Sequence, residues 1–464
     1  MDNIYDVIIV GAGASGVFTA YEMLKQNKEA KILMIEKGHD LTRRTCPIDG
    51  KKIKSCIHCR PCNIMNGFGG AGSLSDGKYN ITNNFGGDLY RYLGEEEALN
   101  LMYYVDEVNC SLSEKEAKLY STNDTLLKKE ALKYDLHLLD AKVRHFGTDG
   151  NLAILGNMFK YLKENMDIVF DTEVLEIERE DKGFKVFTKE ETFSSKFLVL
   201  ATGRSGSKWI SGVCEGLNIR TESNRVDIGV RVELPAEVFS HITDAVYESK
   251  IVYRTKMYSD LVRTFCMNPY GHVVNENTNG IVTVNGHSYA DESLRSENTN
   301  FALLVSNHFT EPFKDSNGYG ESIAKLSNML GGGVLIQRFE DVVNGHRTTE
   351  HRLSKSFTRP TLNATPGDLG LVIPKRQLDD IIEMIYALDK IAPGTANGDT
   401  LLYGVEVKFY NSKVEVDNNL ETKIKGLFVL GDCSGVTHSL SQASASGVYV
   451  GRYIGDMLLR TKNI

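Results

Sequence analysis

Residues 5–10 (YDVIIV) form an unbroken apolar, β-branched run, the pattern of a strand buried on both faces of a parallel sheet. A glycine-rich turn, Gly11-Ala12-Gly13-Ala14-Ser15-Gly16, follows at once, and beyond it Val17, Ala20, Tyr21, Met23 and Leu24 recur at helical spacing. A second buried strand is predicted over 31–36 (KILMIE), so the chain opens as strand, glycine turn, helix, strand. From 38 to 94 periodicity fails while glycine, asparagine and cysteine accumulate, over a stretch too long for an ordinary connector. Either this segment is disordered or it is tied to something, and its cysteines and glycines favour the second.

Three helical blocks are predicted at 95–108, 124–134 and 151–163, followed by strands at 168–179, 184–188 and 193–200, the last running into Ala201-Thr202-Gly203. Between 205 and 369 the pattern is mixed, with strands at 226–232 and 281–284 and a helix near 321–329. An amphipathic helix at 376–391, a buried strand at 426–430 ending in Gly431-Asp432, and a small-residue-rich helix at 441–459 complete the reading. Strands alternating with helices predict an α/β fold. The expected architecture is a discontinuous Rossmann-like domain, 1–204 plus 366–464, with an inserted mixed α/β substrate or cap domain at 205–365.

Composition narrows the partners. A net charge of −8 over 464 residues argues against nucleic-acid or anionic-membrane binding, since both need a basic face. The longest uncharged apolar run, 7–21, is shorter than the ~18 residues of a membrane span and is broken by glycines. With no secretory pattern at residue 1, a cytoplasmic protein is expected, and its eight cysteines read as thiols, metal ligands or redox groups before structural disulfides.

Gly11, Gly13 and Gly16, set between a strand and a helix, fit the dinucleotide-binding turn, in which the first glycine turns sharply, the second lets backbone approach a pyrophosphate and the third allows close helix packing. Glu36 lies 20 residues after the third glycine, where a carboxylate accepts a ribose diol and disfavours a 2′-phosphate. The ligand is therefore an ADP-ribose-type moiety, of FAD or NAD.

In Gly11–Gly16, Ala201-Thr202-Gly203 and Gly431-Asp432 the chain resembles the flavoprotein superfamily of the glutathione-reductase type, with two dinucleotide-binding folds. That resemblance implies FAD in the N-terminal fold, the Ala-Thr-Gly segment beside it, and the aspartate of Gly431-Asp432 on the ribityl chain. Within it, the stretch from Thr45 to Lys78 (TCP…CIHCRPCNIMNGFGGAGSLSDGK), Gly404-Val405-Glu406 and Ser439-Leu440-Ser441-Gln442-Ala443 resemble a family of uncharacterised FAD-dependent dehydrogenases. The resemblance implies cofactor contacts from Gly11, Gly13, Ala14, Ser15, Gly16, Glu36 and Lys37, and from the loop residues Gly70, Gly72, Ser73, Ser75 and Asp76. It extends them to Val174, Ala201, Thr202, Gly203, Gly431, Asp432, Ser441 and Gln442. The helix after Gly431-Asp432 would point its positive end at the flavin pyrimidine.

Gly69 to Lys78 is expected to pass close to the flavin, the alternative being a surface loop; Asp76 and Lys78 are then active-site groups or solvated charges. Cys46, Cys56, Cys59 and Cys62, with His58 between, have spacings that suit an iron–sulfur cluster or zinc, with free thiols as the remaining alternative. Four soft ligands without an added acid exclude magnesium and calcium. Cys433 follows the Gly-Asp pair but, like Cys110, Cys214 and Cys266, reads as a small buried filler, and no redox CxxC adjoins the first turn, so disulfide reduction is not expected. His438 and Lys78 are the catalytic candidates, His438 as a proton donor near neutral pH or else a helix-capping or buried histidine, with Arg263, His272, Asn285 and His287 in the substrate region.

The function expected is an FAD-dependent oxidoreductase moving a hydride between flavin N5 and a small organic substrate. No second dinucleotide turn appears, so reducing equivalents come from the substrate, a transiently bound NAD(P)H or a redox protein. The rival reading is a flavin and iron–sulfur protein relaying electrons to a partner.

Overall fold

The computed structural model describes residues 4–47, 57, 59–246, 248–278, 280–289, 292–310, 312–313 and 315–462. These form two compact units, 1–119 with 142–224 and 410–464, and 120–141 with 225–409. The boundaries thus fall at 224/225 and 409/410, whereas the sequence reading placed them at 204/205 and 365/366. Lys375–Leu388 and Leu401–Phe409 account for part of the difference, because the first packs on, and the second pairs within, the sheet of the second unit. The stretch 120–141 joins that unit too, through Leu136–Leu138, which pairs with Ile251–Arg254.

The first unit is built on a mostly parallel sheet. Strand β1 (Ile4–Val10) lies between β2 (Ile32–Ile35) and β3 (Thr192–Leu200), parallel to both, and β4 (Leu427–Val429) runs parallel to β3 on its far side. Asp167–Val169 extends the sheet beyond β2, and Gly183–Thr188 and Val174–Glu180 form an antiparallel extension beyond the N-terminal half of β3. The single strand expected at 168–179 is therefore two, separated by a break at 170–173. Val7, Ile8 and Ile9 are inaccessible to solvent, as a strand covered on both faces requires.

Helix α1 (Ala14–Gln26) packs against the closing helix α2 (Leu440–Lys462). Small residues decide how close they come. A Cβ on Gly447 would lie 2.2 Å from the Ser15 carbonyl oxygen, and one on Gly451 2.8 Å from that of Thr19. Further along, buried Glu22 accepts from Nε of the half-exposed Arg452 at 2.9 Å.

The second unit carries an eight-stranded sheet centred on Val226–Pro235, which pairs antiparallel with Asn298–Asn307 and Leu401–Phe409. Its alternation is strict: Val226, Ile228, Val230, Val232 and Leu234 enter the apolar core, while Asp227, Arg231 and Glu233 occupy the other face. Arg231, Glu233 and Glu406 are nonetheless fully buried, with Arg231 forked onto Glu406 at 2.8 and 2.9 Å. Of this sheet, the sequence pattern predicted only the strand beginning at Val226.

No described helix is long and apolar enough to cross a membrane.

Candidate functional site

The C-terminal ends of β1, β3 and β4 converge on one crevice, and the three sequence motifs are those ends. Gly11 leaves β1 at φ +104°, and a Cβ there would lie 2.5 Å from the Ala201 carbonyl oxygen, so only glycine both turns and lets the chain after β3 pass. Gly431 leaves β4 at φ +65°, and its missing Cβ gives room to the Ser15 hydroxyl 2.4 Å away. Gly16 would place a Cβ 2.1 Å from the Gly11 carbonyl oxygen, which explains the third glycine of the turn. Gly13 differs: only the Ala201 oxygen, at 3.8 Å, lies near its added Cβ. Thr202 and Gly203 follow Ala201 beside this turn, and Arg204 lies 3.4 Å from the Asp432 carboxylate.

Gly13 is the N-cap of α1 and supplies no side-chain hydrogen bond, and no acidic residue stands in the first turn. With neither a capping side chain nor an acid, this helix end suits an external acceptor at the positive end of its dipole. Over this end lies the glycine loop: Gly69 N–H donates to the Ala12 carbonyl at 2.7 Å, and a Cβ on Gly70 would be 3.0 Å from Gly13 Cα. The loop then reaches α2, where Leu440 Cδ2 lies 2.4 Å from the Cβ position of Gly72. Asn151 holds it there by donating from Nδ2 to the Gly72 carbonyl at 2.8 Å, and Ser75 Oγ donates to the same oxygen at 2.6 Å. Ser73 is fully buried.

Glu36 ends β2 and is buried. Its Oε2 accepts from Ala12 N–H at 2.8 Å, and its Oε1 from Gly38 N–H at 2.8 Å and Gly67 N–H at 2.9 Å. A carboxylate offers about four acceptor sites, so room for one further donor remains. Lys37 follows it and is half-buried. The chain at Asp171 and Thr172 reaches the same place through hydrogen bonds to the Gly38 and Glu36 carbonyls, whereas the Val174 side chain points into the sheet core.

Asp432 lies three residues past the end of β4. Burial pushes its carboxyl up to about 6, with the Arg204 guanidinium opposing the shift. Cys433, fully buried, donates its thiol to the Leu430 carbonyl at 3.0 Å, and burial pushes it up to about 11, the behaviour of a filler thiol. At the start of α2 the buried hydroxyls of Thr437, Ser441 and Ser444 have no partner among the described residues. Gln442 is fully occupied: its amide nitrogen donates to Thr82 and Phe85 carbonyls and its oxygen accepts from Leu89 N–H, so it holds the 82–89 loop against α2. The backbone of His438 is tied to Gly86 at 2.8 Å, and its ring meets Tyr410 edge-on at 4.6 Å. Lys78 Nζ pairs with Asp76 at 2.9 Å.

Cys46, Cys59 and Cys62 line one small cavity with Pro47, Ile57, Asn63 and Ile64. Cys56 and His58 lie outside the described residues. Among the described residues no group of three His, Cys, Asp or Glu side chains is disposed to hold a metal ion. In the second unit, Arg263 pairs with Asp227, Asn285 receives a hydrogen bond from Arg231 at 3.2 Å, and His272 faces His287 across a hairpin.

The donor set fits FAD. Uncapped amides suit a pyrophosphate, a buried carboxylate with a free acceptor site suits a ribose, and buried hydroxyls without partners suit the polar edge of a flavin. The fold and this site define a dinucleotide-binding α/β flavoprotein.

Comparison with known proteins agrees. Residues 5–228 match the family described as pyridine nucleotide-disulphide oxidoreductase, and residues 225–409 match the family described as FAD-dependent protein, C-terminal domain-like. Together the two matches mark the protein as an FAD-dependent oxidoreductase. No curated protein matches it. Solved structures that align include glycine oxidase from Geobacillus kaustophilus, with 12% identity, a TM-score of 0.38 and coverage of 98% of this chain and 94% of the other. A geranylgeranyl bacteriochlorophyll reductase-like protein from Thermoplasma acidophilum aligns with 13% identity, a TM-score of 0.42 and coverage of 99% and 80%. An E. coli quinol fumarate reductase variant aligns with 15% identity, a TM-score of 0.42 and coverage of 99% and 72%. Likenesses this distant carry no argument about activity.

Proposed function

We propose that this enzyme catalyses hydride transfer between a small organic substrate and N5 of FAD, held in the crevice at the ends of β1, β3 and β4. The observation that carries the reading is the uncapped N-terminus of α1 beneath the Gly69–Gly70 backbone, with Glu36 at one end and the start of α2 at the other. FAD, when bound, supplies the two-electron chemistry at N5.

The chain's own residues bind and orient. The amides of Ala14 and Ser15 take the pyrophosphate, Glu36 the ribose, and Asp432 the ribityl hydroxyls. The positive end of α2, with Ser441, faces the pyrimidine edge, where it stabilises negative charge. Lys78, drawn against Asp76, and His438, braced on Tyr410, are the groups we assign to proton transfer with substrate. The FAD-binding role falls to the first unit and substrate recognition to the second.

The test is anaerobic: the reconstituted enzyme is mixed with panels of small organic hydride donors, and bleaching of the flavin band is followed. Bleaching by a substrate labelled with deuterium at the donating carbon, with a primary isotope effect, supports the reading. Bleaching only by one-electron protein donors refutes it.

A further inference from the structure

Arg44 stands in the aperiodic stretch that links β2 to the glycine loop, and it is buried. Its three nitrogens donate to five acceptors, all within residues 63–73. Nε reaches the Asn63 carbonyl at 3.0 Å and Nη2 the Ile64 carbonyl at 2.7 Å. Nη1 is shared among the Phe68 carbonyl at 2.7 Å, the Gly70 carbonyl at 2.8 Å and the Ser73 hydroxyl. The stem is accommodated as well: a Cβ on Gly67 would sit 2.7 Å from Arg44 Cδ. Burial lowers the guanidinium to about 10 while Glu36 and Cys62 beside it act to raise it, so it stays charged at neutral pH.

That loop has no sheet partner over this stretch beyond the single bridge between Gly13 and Gly69. It is glycine-rich and would lose much conformational entropy on being fixed. A planar fork that engages carbonyls on both sides of a turn supplies the missing order, and a lysine with its single point of donation does not.

We propose that Arg44 is the positioning residue of the cofactor cradle, fixing residues 63–73 so that Gly69 and Gly70 stay against the N-terminus of α1 where the FAD pyrophosphate is held. The proposal rests on the cofactor placement proposed above. Arg44 acts through the loop, since its donors are already engaged there.

The experiment titrates FAD into the apoprotein forms of wild type, Arg44→Gln, Arg44→Lys, Arg44→Ala, Gly13→Val and Arg144→Gln, reading quenching of flavin fluorescence beside a melting curve of each apoprotein. Arg144 serves as the structural comparison, because it forks onto buried Asp106 in the same unit at 2.9 and 2.6 Å. The Arg44 variants are expected to weaken Kd for FAD at least tenfold, with millimolar guanidinium recovering part of the loss in Arg44→Ala. Arg144→Gln is expected to lower the melting temperature and leave Kd unchanged. Wild-type Kd in Arg44→Gln and Arg44→Lys, with Gly13→Val unable to bind, overturns the role of Arg44 alone. Equal weakening by Arg144→Gln overturns it as general destabilisation. Undiminished binding by Gly13→Val overturns the placement of the cofactor, and the proposal with it.

Discussion

Replacing Glu36 by Gln tests whether this carboxylate organises the crevice before any cofactor arrives. In the apoprotein its two oxygens already accept three backbone N–H groups, from Ala12, Gly38 and Gly67, which belong to the dinucleotide turn, the end of β2 and the glycine loop. An amide accepts on one side only. The better orientation keeps the oxygen towards Gly38 and Gly67 and turns the NH₂ against Ala12 N–H, where two donors face each other. A hydrogen bond to a charged group contributes about 1.5–3 kcal/mol against roughly 1 kcal/mol for a neutral one. Losing one such bond and weakening two gives an expected destabilisation of about 3 kcal/mol for the first unit. Trp209, the only tryptophan, reports on that unit, with its indole N–H on the Leu175 carbonyl at 3.1 Å. Denaturant unfolding of the apoprotein followed by tryptophan fluorescence at neutral pH therefore reads the effect. A variant whose transition coincides with wild type, and which differs only in FAD affinity, would show that Glu36 serves the ribose alone and refute the reasoning.

Gly16→Ala brings a methyl to 2.1 Å from the Gly11 carbonyl oxygen, so it should destabilise by at least ~2 kcal/mol and yield protein without flavin, checked by the absorbance ratio after purification. The raised carboxyl of Asp432 has a sign that can be measured: its folded value of about 6 exceeds the unfolded ~3.9, so its stabilising contribution is complete below ~4 and is lost as pH rises through 6. Asp432→Asn should flatten apoprotein stability across that window and melt higher than wild type at neutral pH; parallel melting curves at both pH values would contradict it. Lys78→Met should leave FAD content intact and lower kcat by at least ~100-fold, the lower end of the usual scale for losing a proton-transfer group. Normal turnover would remove Lys78 from the chemistry.

The first strand, glycine turn, helix and second strand were legible because their apolar residues must be buried on every side, leaving no competing pattern. The large sheet of the second unit was not. Asp227, Arg231 and Glu233 alternate with Val and Ile as though facing water, yet Arg231 and Glu233 are buried in a network with Glu406, Asn300 and Tyr403 that only distant strands complete. Within the site, residues whose backbone is used were readable from glycine spacing. Arg44 and Asn151 act through carbonyls remote in sequence, and nothing in their neighbourhood signals it. Gln442, which the resemblance puts among the cofactor contacts, spends its side-chain amide on the 82–89 loop, a role that local sequence does not signal.

The pairing of α1 with α2 sets an order of events during synthesis. Glu22 meets Arg452 across 430 residues of chain, and Ser15 is met by both Gly431 and Gly447. A nascent chain can form β1, the glycine turn and α1 within its first few dozen residues, but the Ser15–Thr19–Glu22 face of α1 stays uncovered until the last helix has been made. The whole second unit is translated in that interval and can fold first. On the cofactor placement proposed above, the glycine turn gains its other wall only when that helix is in place.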